Sequence, residues 1–345
     1  MMSINDNWLD AACQNQAAIL ITVAASSGSV PRGAGAKMVV TGAQQFDTIG
    51  GGHLEHQAVA LARSMLKSSS QYAPVSALPP GLHEPAPGLP LLQRFALGPS
   101  LGQCCGGVVH LLFEALDAAQ SAQWQEARLR QLAGQDSWRE LALDSAAPAR
   151  WFSRAPSHLS AASAHTCHLW QDAAGQRYLL DPITAPRANL LLFGAGHVAS
   201  HLIHQLAHLP CRIRWIDQRT KLFPASVPPH VAIEVNPFPQ DVIASAPPNS
   251  TFLVMTHEHA LDQTLVEAVL RKGDALWLGL IGSATKRAQF EHRLRARGVL
   301  DSQLAQLVCP IGLPGIESKL PAVIASAVLA QLLQVWQAAG QLETN

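Results

Sequence analysis

The sequence predicts an α/β protein of two domains: a mixed α/β, ligand-handling domain over residues 1–185 and a parallel-sheet domain over residues 186–345. Three observations carry this. Apolar β-type runs alternate with helix-periodic stretches through the C-terminal half. A glycine turn, "LLLFGAGHVA", joins a strand to a helix at the start of that half. Between the halves, "DPITAPRAN", Asp181 to Asn189, breaks the pattern with two prolines and reads as a linker.

In the first region "AAILITVAASSGSVPRGAGAKMVVT" gives a β-type run at Ala18 to Ala25, a Gly/Pro turn, and a second run at Ala36 to Thr41. After "TIGGG", the spacing of Leu54, Ala58, Leu61, Ala62 and Met65 predicts a helix. The Pro-rich passage from Tyr72 to Pro90 interrupts the periodicity and reads as a long excursion or flap, with a partner surface as the other reading of Pro79 to Pro90. "GVVHLLFEAL" is then a buried strand, which puts Cys104 and Cys105 in the loop leading into it. From Ala118 to Ala147 the chain reads as weakly helical or irregular.

The second region opens with strand, glycine turn and helix in "LLLFGAGHVASHLIHQLAHL", and "CRIRWIDQR" completes a β-α-β unit. "TFLVMTHEH" follows as strand and loop, "ALDQTLVEAVLRK" as helix, "ALWLGLIGS" as strand and turn, and "TKRAQFEHRLRARG" as helix. "SKLPAVIASAVLAQLLQVWQAAG" closes the chain as an apolar helix that Pro321 can start. The alternation is that of a doubly wound, Rossmann-like parallel sheet.

Composition limits the partners. The 24 basic and 24 acidic side chains cancel to a formal charge of zero, which gives no electrostatic warrant for nucleic acid or an anionic membrane surface. "MMSINDNWLDAACQNQ" lacks the basic start and apolar core of a secretory signal, and no uninterrupted stretch reads as long enough to cross a bilayer, so cytoplasmic residence is the expectation. The six cysteines are scattered apart from the adjacent pair. That pattern fits neither a C-x-x-C zinc site nor a disulfide framework, and it predicts reduced thiols, with Cys104 or Cys105 reactive.

In the second domain Gly194 permits the tight bend, Gly196 lets backbone approach a phosphate, and Ala199 allows close helix packing. Asp217 ends the next strand, where a carboxylate can accept hydrogen bonds from ribose hydroxyls. Thr256, His257, His259, Gly282, Ser283, Lys286 and Arg287 sit at further strand ends, with Lys286 or Arg287 placed to meet a phosphate. The two histidines read as hydrogen-bonded structure rather than a metal site. NAD, NADP or another nucleotide is the ligand class, and an NAD(P)-dependent oxidoreductase is one functional alternative. In the first domain Gly28, Arg32, Gly33, Gly35 and Lys37 share one turn, and Gly50, Gly51 and Gly52 precede a helix. Glycines allow backbone to approach a ligand, and Arg32 and Lys37 complement phosphate charge. Glu55 fits the helix's first turn, facing its dipole.

Taken together, "GSVPRGAGAKMVV", "TIGGGHLE", "GPSLGQCCGG", "LLLFGAGHVA", "WIDQR", "THEHALD", "GLIGSATKR" and "CPIGLPGIESKLPAVIA" run in order from Gly28 to Ala325. In this the chain resembles the XdhC/CoxI family, and through "GQCCGG" the branch that serves xanthine dehydrogenase. The resemblance implies a cytoplasmic chaperone that binds molybdenum cofactor (molybdopterin), protects it during sulfuration and delivers it to apo-xanthine dehydrogenase. It implies a cysteine desulfurase as sulfur source and a homodimer that encloses the ligand. Carried onto this sequence, Arg32, Lys37, Gly50, Gly51, Gly52, Gln103, Cys104, Cys105 and Gly106 would surround the cofactor, with Cys104 and Cys105 meeting the metal. A thiolate is a soft ligand suited to that task. A pure scaffold bridging desulfurase and dehydrogenase is a third reading.

Overall fold

The computed structural model describes residues 7–68, 89–98, 106–116, 118–158, 160 and 163–342. The chain divides into two compact units, Met1–Ala185 and Pro186–Thr344.

The first unit contains α1 (Trp8–Ala12), β1 (Ala18–Ser27), β2 (Lys37–Thr41), β3 (Gln45–Asp47), α2 (Gly52–Ser68), β4 (Leu91–Ala96), β5 (Val108–Leu116), α3 (Ser121–Leu132), β6 (Ser137–Ala142), β7 (Arg150–Phe152), β8 (His168–Gln171) and β9 (Arg177–Ile183). A five-stranded antiparallel sheet runs β3-β2-β1-β5-β4, and a four-stranded one runs β7-β6-β9-β8. Strand side chains alternate faces, and β1 is buried on both. Ile19, Ile21 and Val23 pack with Leu54, Ala58, Leu61 and Ala62 of α2. Ala18 and Leu20 pack with Leu9 of α1 and Trp124 and Ala127 of α3.

Two sequence expectations change here. From Ala118 to Ala147 the helical reading holds in α3, but the stretch also contains a strand, β6. β6, "SWRELA", is buried throughout, but its charged Arg139 and Glu140 disguise it in any hydrophobic pattern. The linker is also shorter than "DPITAPRAN" suggests. Asp181 and Pro182 belong to β9, with Pro182 paired to Trp138 near the strand's end, where a missing ladder donor costs least.

The second unit contains β10 (Ala188–Phe193), α4 (His197–Gln205), β11 (Cys211–Asp217), β12 (Val231–Val235), α5 (Asp241–Ala244), β13 (Thr251–Val254), α6 (His259–Lys272), β14 (Trp277–Leu280), α7 (Ala284–Ala296), α8 (Asp301–Leu304), β15 (Leu307–Val308) and α9 (Pro321–Ala338). All strand pairs are parallel, in the order β12-β11-β10-β13-β14-β15. Numbered within this unit that is the 3-2-1-4-5-6 order of dinucleotide-binding sheets, as the sequence predicts. Leu191 and Phe193 of β10 face α6 and α7 through Leu265, Val266, Phe290 and Leu294. Leu190 and Leu192 face α4 and α9 through Leu202, Ile203, Val328, Leu332 and Trp336.

α9 corrects a third expectation, since by length and composition it is long and apolar enough to cross a membrane. Here one face of it packs into the core: Ala325, Val328, Leu332 and Trp336 are buried, and Trp336 donates from Nε1 to Thr251 Oγ1 at 2.9 Å.

Candidate functional site

Gln103, Cys104 and Cys105 lie outside the described residues, as does most of the Pro-rich passage, but the chain on either side of the cysteines is placed. β4 and β5 pair antiparallel, and Leu97 N donates to Gly107 O at 2.9 Å, so the chain leaves at Gly98 and returns at Gly106 at one end of the five-stranded sheet. Gly107 must be glycine: a Cβ there would fall 2.4 Å from Ser29 O and 2.7 Å from Ser27 O. Gly28, at φ +72°, meets it from the other side: a Cβ there would lie 3.1 Å from Gly107 Cα. Gly106 is exposed, with nothing within 4 Å of its Cβ direction.

The "TIGGG" turn reaches the same place. A Cβ on Gly50 would lie 2.4 Å from Cβ of Pro31 and 3.5 Å from Cγ of Arg32. The contacts Gly107–Gly28 and Pro31–Gly50 thus draw together three segments that are distant in sequence. Gly50, Gly51 and Gly52 all have positive φ, and a single carboxylate holds the turn. Glu55 Oε2 accepts from Ile49 N at 3.2 Å, from Gly51 N at 3.0 Å and from the Thr48 hydroxyl, while Thr48 Oγ1 accepts from Gly50 N at 3.0 Å.

The N–H groups of Ile49, Gly50 and Gly51 are therefore spent inside the turn. Glycine at 50 provides close packing against Pro31 rather than a donor for a phosphate. Glu55→Ala is expected to cost about 1–3 kcal/mol in thermal or urea unfolding, by removing hydrogen bonds to a charged acceptor, with Glu55→Gln milder.

The two cations assigned to a phosphate part company. Arg32 is 43% exposed and stands 4.0 Å from Asp47, whose carboxyl is pushed up by burial despite that neighbour. Lys37 corrects the sequence reading. Its side chain is 1% exposed, and Nζ lies 2.7 Å from Asp181 Oδ1 and donates to Gly35 O at 3.0 Å. It also sits 4.9 Å from the Trp8 ring centre.

Asp181 Oδ2 in turn accepts from Arg139 Nε and Nη2, and Arg139 Nη1 donates to both oxygens of Glu114 at 2.8 and 2.6 Å. Lys37, Asp181, Arg139 and Glu114 form a charge-balanced buried chain between the two sheets, so the Lys37 ammonium has no face left for a ligand. Sequence reasoning missed the other three members. The available signal was a charged residue inside each of three otherwise apolar strand-like runs, Glu114 in "HLLFEAL", Arg139 in "SWRELAL" and Asp181 in "RYLLDPI".

In the second unit, Gly194 has φ +106°, and a Cβ there would meet Met255 O at 2.2 Å. Gly196 caps α4 with nothing within 4 Å, and Ala199 is buried beneath the helix. The crevice lies at the switch point between β10 and β13, lined by Gly194, Asp217, Gln218, Thr256 and His257 among others, with a cavity volume of only about 10 Å³. That is below the ~300–1,000 Å³ of typical small-molecule sites.

Asp217 is 4% exposed, and both its oxygens are engaged by Ala195 N, Arg219 N and the Arg219 guanidinium at 2.8–2.9 Å. Burial alone would raise its carboxyl, but these donors hold it below the ordinary range. Ribose hydroxyls would have to displace them. Lys286 is likewise committed: Nζ meets Asp262 Oδ2 at 2.7 Å and Ile281 O at 2.9 Å, and Asp262 Oδ1 accepts from Thr256 Oγ1 at 2.6 Å. Arg287 pairs with Glu291. His257 lines the crevice and His259 begins α6. Among the described residues no His, Cys, Asp or Glu cluster could hold a metal.

Residues 190–332 match the family model described as the XdhC Rossmann domain, and residues 11–73 match that of the XdhC and CoxI family. A curated relative, the uncharacterized protein YqeB of Escherichia coli strain K12, is 31% identical over 170 residues. The match takes in 48% of this chain, which spans 30% of the length of that relative. A crystal structure described as a xanthine dehydrogenase from Bacillus halodurans shares the fold, with a TM-score of 0.69 at 20% identity over 98% of this chain and 96% of that one.

Proposed function

Since the chain belongs to the XdhC/CoxI family, we propose that it carries molybdenum cofactor as cargo, shelters it during sulfuration and hands it to apo-xanthine dehydrogenase. A cysteine desulfurase would supply the sulfur, and a second copy of the chain would help enclose the cargo. One observation supports this reading most: three glycine-bearing segments converge where the chain departs toward Cys104 and Cys105 and returns at Gly106.

The residues placed there suit an anionic cargo with a soft metal end. Arg32 is exposed and would meet a phosphate, Gly106 leaves open space, and thiolates from Cys104 and Cys105 are the donor type such a metal takes. Gly50, Gly51 and Gly52 act by shaping the wall, and Lys37 acts from behind it through Asp181. Release is as necessary as binding for a carrier, and contacts from backbone and from the exposed Arg32 would be readily reversed.

The oxidoreductase alternative draws less support. In the second unit, Asp217 at the crevice and Lys286 are already paired with Arg219 and Asp262, and the crevice volume is small. The test is reconstitution. Adding cofactor-loaded chain to apo-xanthine dehydrogenase is expected to restore urate formation in proportion to the loaded chain, with no NAD(P)H turnover by the chain alone. Loaded chain that leaves the apo-enzyme inactive would defeat the proposal.

A further inference from the structure

Away from the glycine wall, the outer face of the four-stranded sheet carries a closed circuit of side chains. Glu140, on β6, has a side chain with no solvent exposure and sits opposite Arg150 of β7. Its Oε2 accepts from Arg150 Nη2 at 2.8 Å, and its Oε1 lies 2.8 Å from His158 Nε2. An ionised carboxylate only accepts, so Nε2 carries the proton and Nδ1 is left for another partner. The His158 ring lies 4.9 Å from Trp170, Trp170 stacks on Tyr178 at 4.8 Å, and the Arg150 guanidinium lies 5.4 Å from the Tyr178 ring centre, which closes the circuit back to Glu140.

Such a ring fixes the Arg150 and His158 side chains in place. Each stays open to solvent on its far side, with Arg150 58% and His158 42% exposed. They border a cleft of about 490 Å³ that is also lined by Phe152 at the end of β7 and by Ser153, Arg154 and Ser157 of the loop that follows. Arg154 is exposed and has no carboxylate partner among the described residues. Arg150 and Arg154 outweigh the one buried carboxylate, so the cleft is net positive even with His158 neutral. The hydroxyls of Ser153 and Ser157 and the rings of Trp151 and Phe152 also line it.

We propose that this cleft binds a phosphomonoester: Arg150, Arg154 and His158 take the phosphate, and Phe152 lies beside the group that bears it. Nothing in this requires the carrier reading, and the site belongs to a different sheet from the glycine wall. Three features argue for a built site rather than scattered surface charge. Guanidinium groups match phosphate oxygens in pairs. Glu140 and Tyr178 hold Arg150 before any ligand arrives, which lowers the ordering cost of binding. The cleft is also larger than a bare phosphate needs and falls within the range of small-molecule sites.

The full chain would be titrated calorimetrically with inorganic phosphate and with adenosine 5′-monophosphate, at ionic strength matched by chloride. Saturable binding of either is expected, and it should weaken by roughly tenfold or more in Arg154→Ala, the loss of one charge-assisted contact. Arg154 lies outside the Glu140 circuit, so the unliganded melting temperature of that variant should equal the wild type. Tighter binding of the nucleotide would show that the ring contributes, and equal binding that the phosphate acts alone. Absence of saturable binding by both ligands, or affinity unchanged in Arg154→Ala and Arg150→Ala, would overturn the proposal.

Discussion

Replacing Asp181 with alanine is expected to destabilise the first unit by about 3–5 kcal/mol, because it strips the shared counter-charge from two buried cations. Lys37 is 1% exposed and Arg139 is fully buried, and both meet this one carboxylate. Without it, Arg139 keeps Glu114, but the Lys37 ammonium faces only Gly35 O and the Trp8 ring. Denaturant unfolding would measure the loss. Asp181→Asn combined with Lys37→Met should recover much of it, since removing both charges of a buried pair costs less than removing one.

The pH dependence has a definite sign. Burial alone would raise the Asp181 carboxyl, yet Lys37 and Arg139 hold it below its ordinary value. A depressed carboxyl contributes stability that is fully present above the unfolded-state value near 3.8 and lost as pH falls through the lower folded value. Acid unfolding of the wild type should therefore steepen below that range, and Asp181→Asn should flatten this component.

The second large effect is expected at Gly194. Alanine there would need φ +106° and would place its Cβ 2.2 Å from Met255 O, a backbone atom of the neighbouring strand that cannot step aside. The turn's own ties resist any shift, since Gly194 N donates to Ile216 O at 2.8 Å and Trp215 Nε1 donates to Gly194 O at 3.0 Å. Backbone strain and overpacking together should cost about 2–5 kcal/mol, read as a lower melting temperature of the second unit. Gly196→Ala is the control: with nothing within 4 Å of its Cβ and φ −81°, it should change stability by less than about 1 kcal/mol.

This contrast shows what the sequence could and could not reveal. "LLLFGAGHVA" announced the strand, turn and helix because glycine punctuation and the switch of period are local signals. The role of each glycine depended on what lies across the sheet. Gly194 serves packing against β13, whereas only Gly196 leaves its surroundings open. Lys37 illustrates the same limit. Beside Arg32 in a glycine turn it looked like a phosphate ligand, but strand alternation turns it inward toward Asp181, a residue on a strand far along the chain. The four-stranded sheet was hidden for the same reason, since β6 buries Arg139 and Glu140 against charges that come from elsewhere. Glu55 was read as a helix-dipole residue, and its hold on the "TIGGG" turn depends on the chain doubling back.

The proposed carrier role requires soft donors from Cys104 and Cys105, and molybdenum and pterin content after loading tests this most directly. Wild type, Cys104→Ser, Cys105→Ser and the double variant would be loaded with molybdenum cofactor, freed of excess and assayed for both components. The prediction is near-stoichiometric molybdenum and pterin in the wild type, and loss of most of the molybdenum in at least one single variant and in the double variant, with unchanged melting of the unloaded chains. Equal molybdenum content in all four would contradict it.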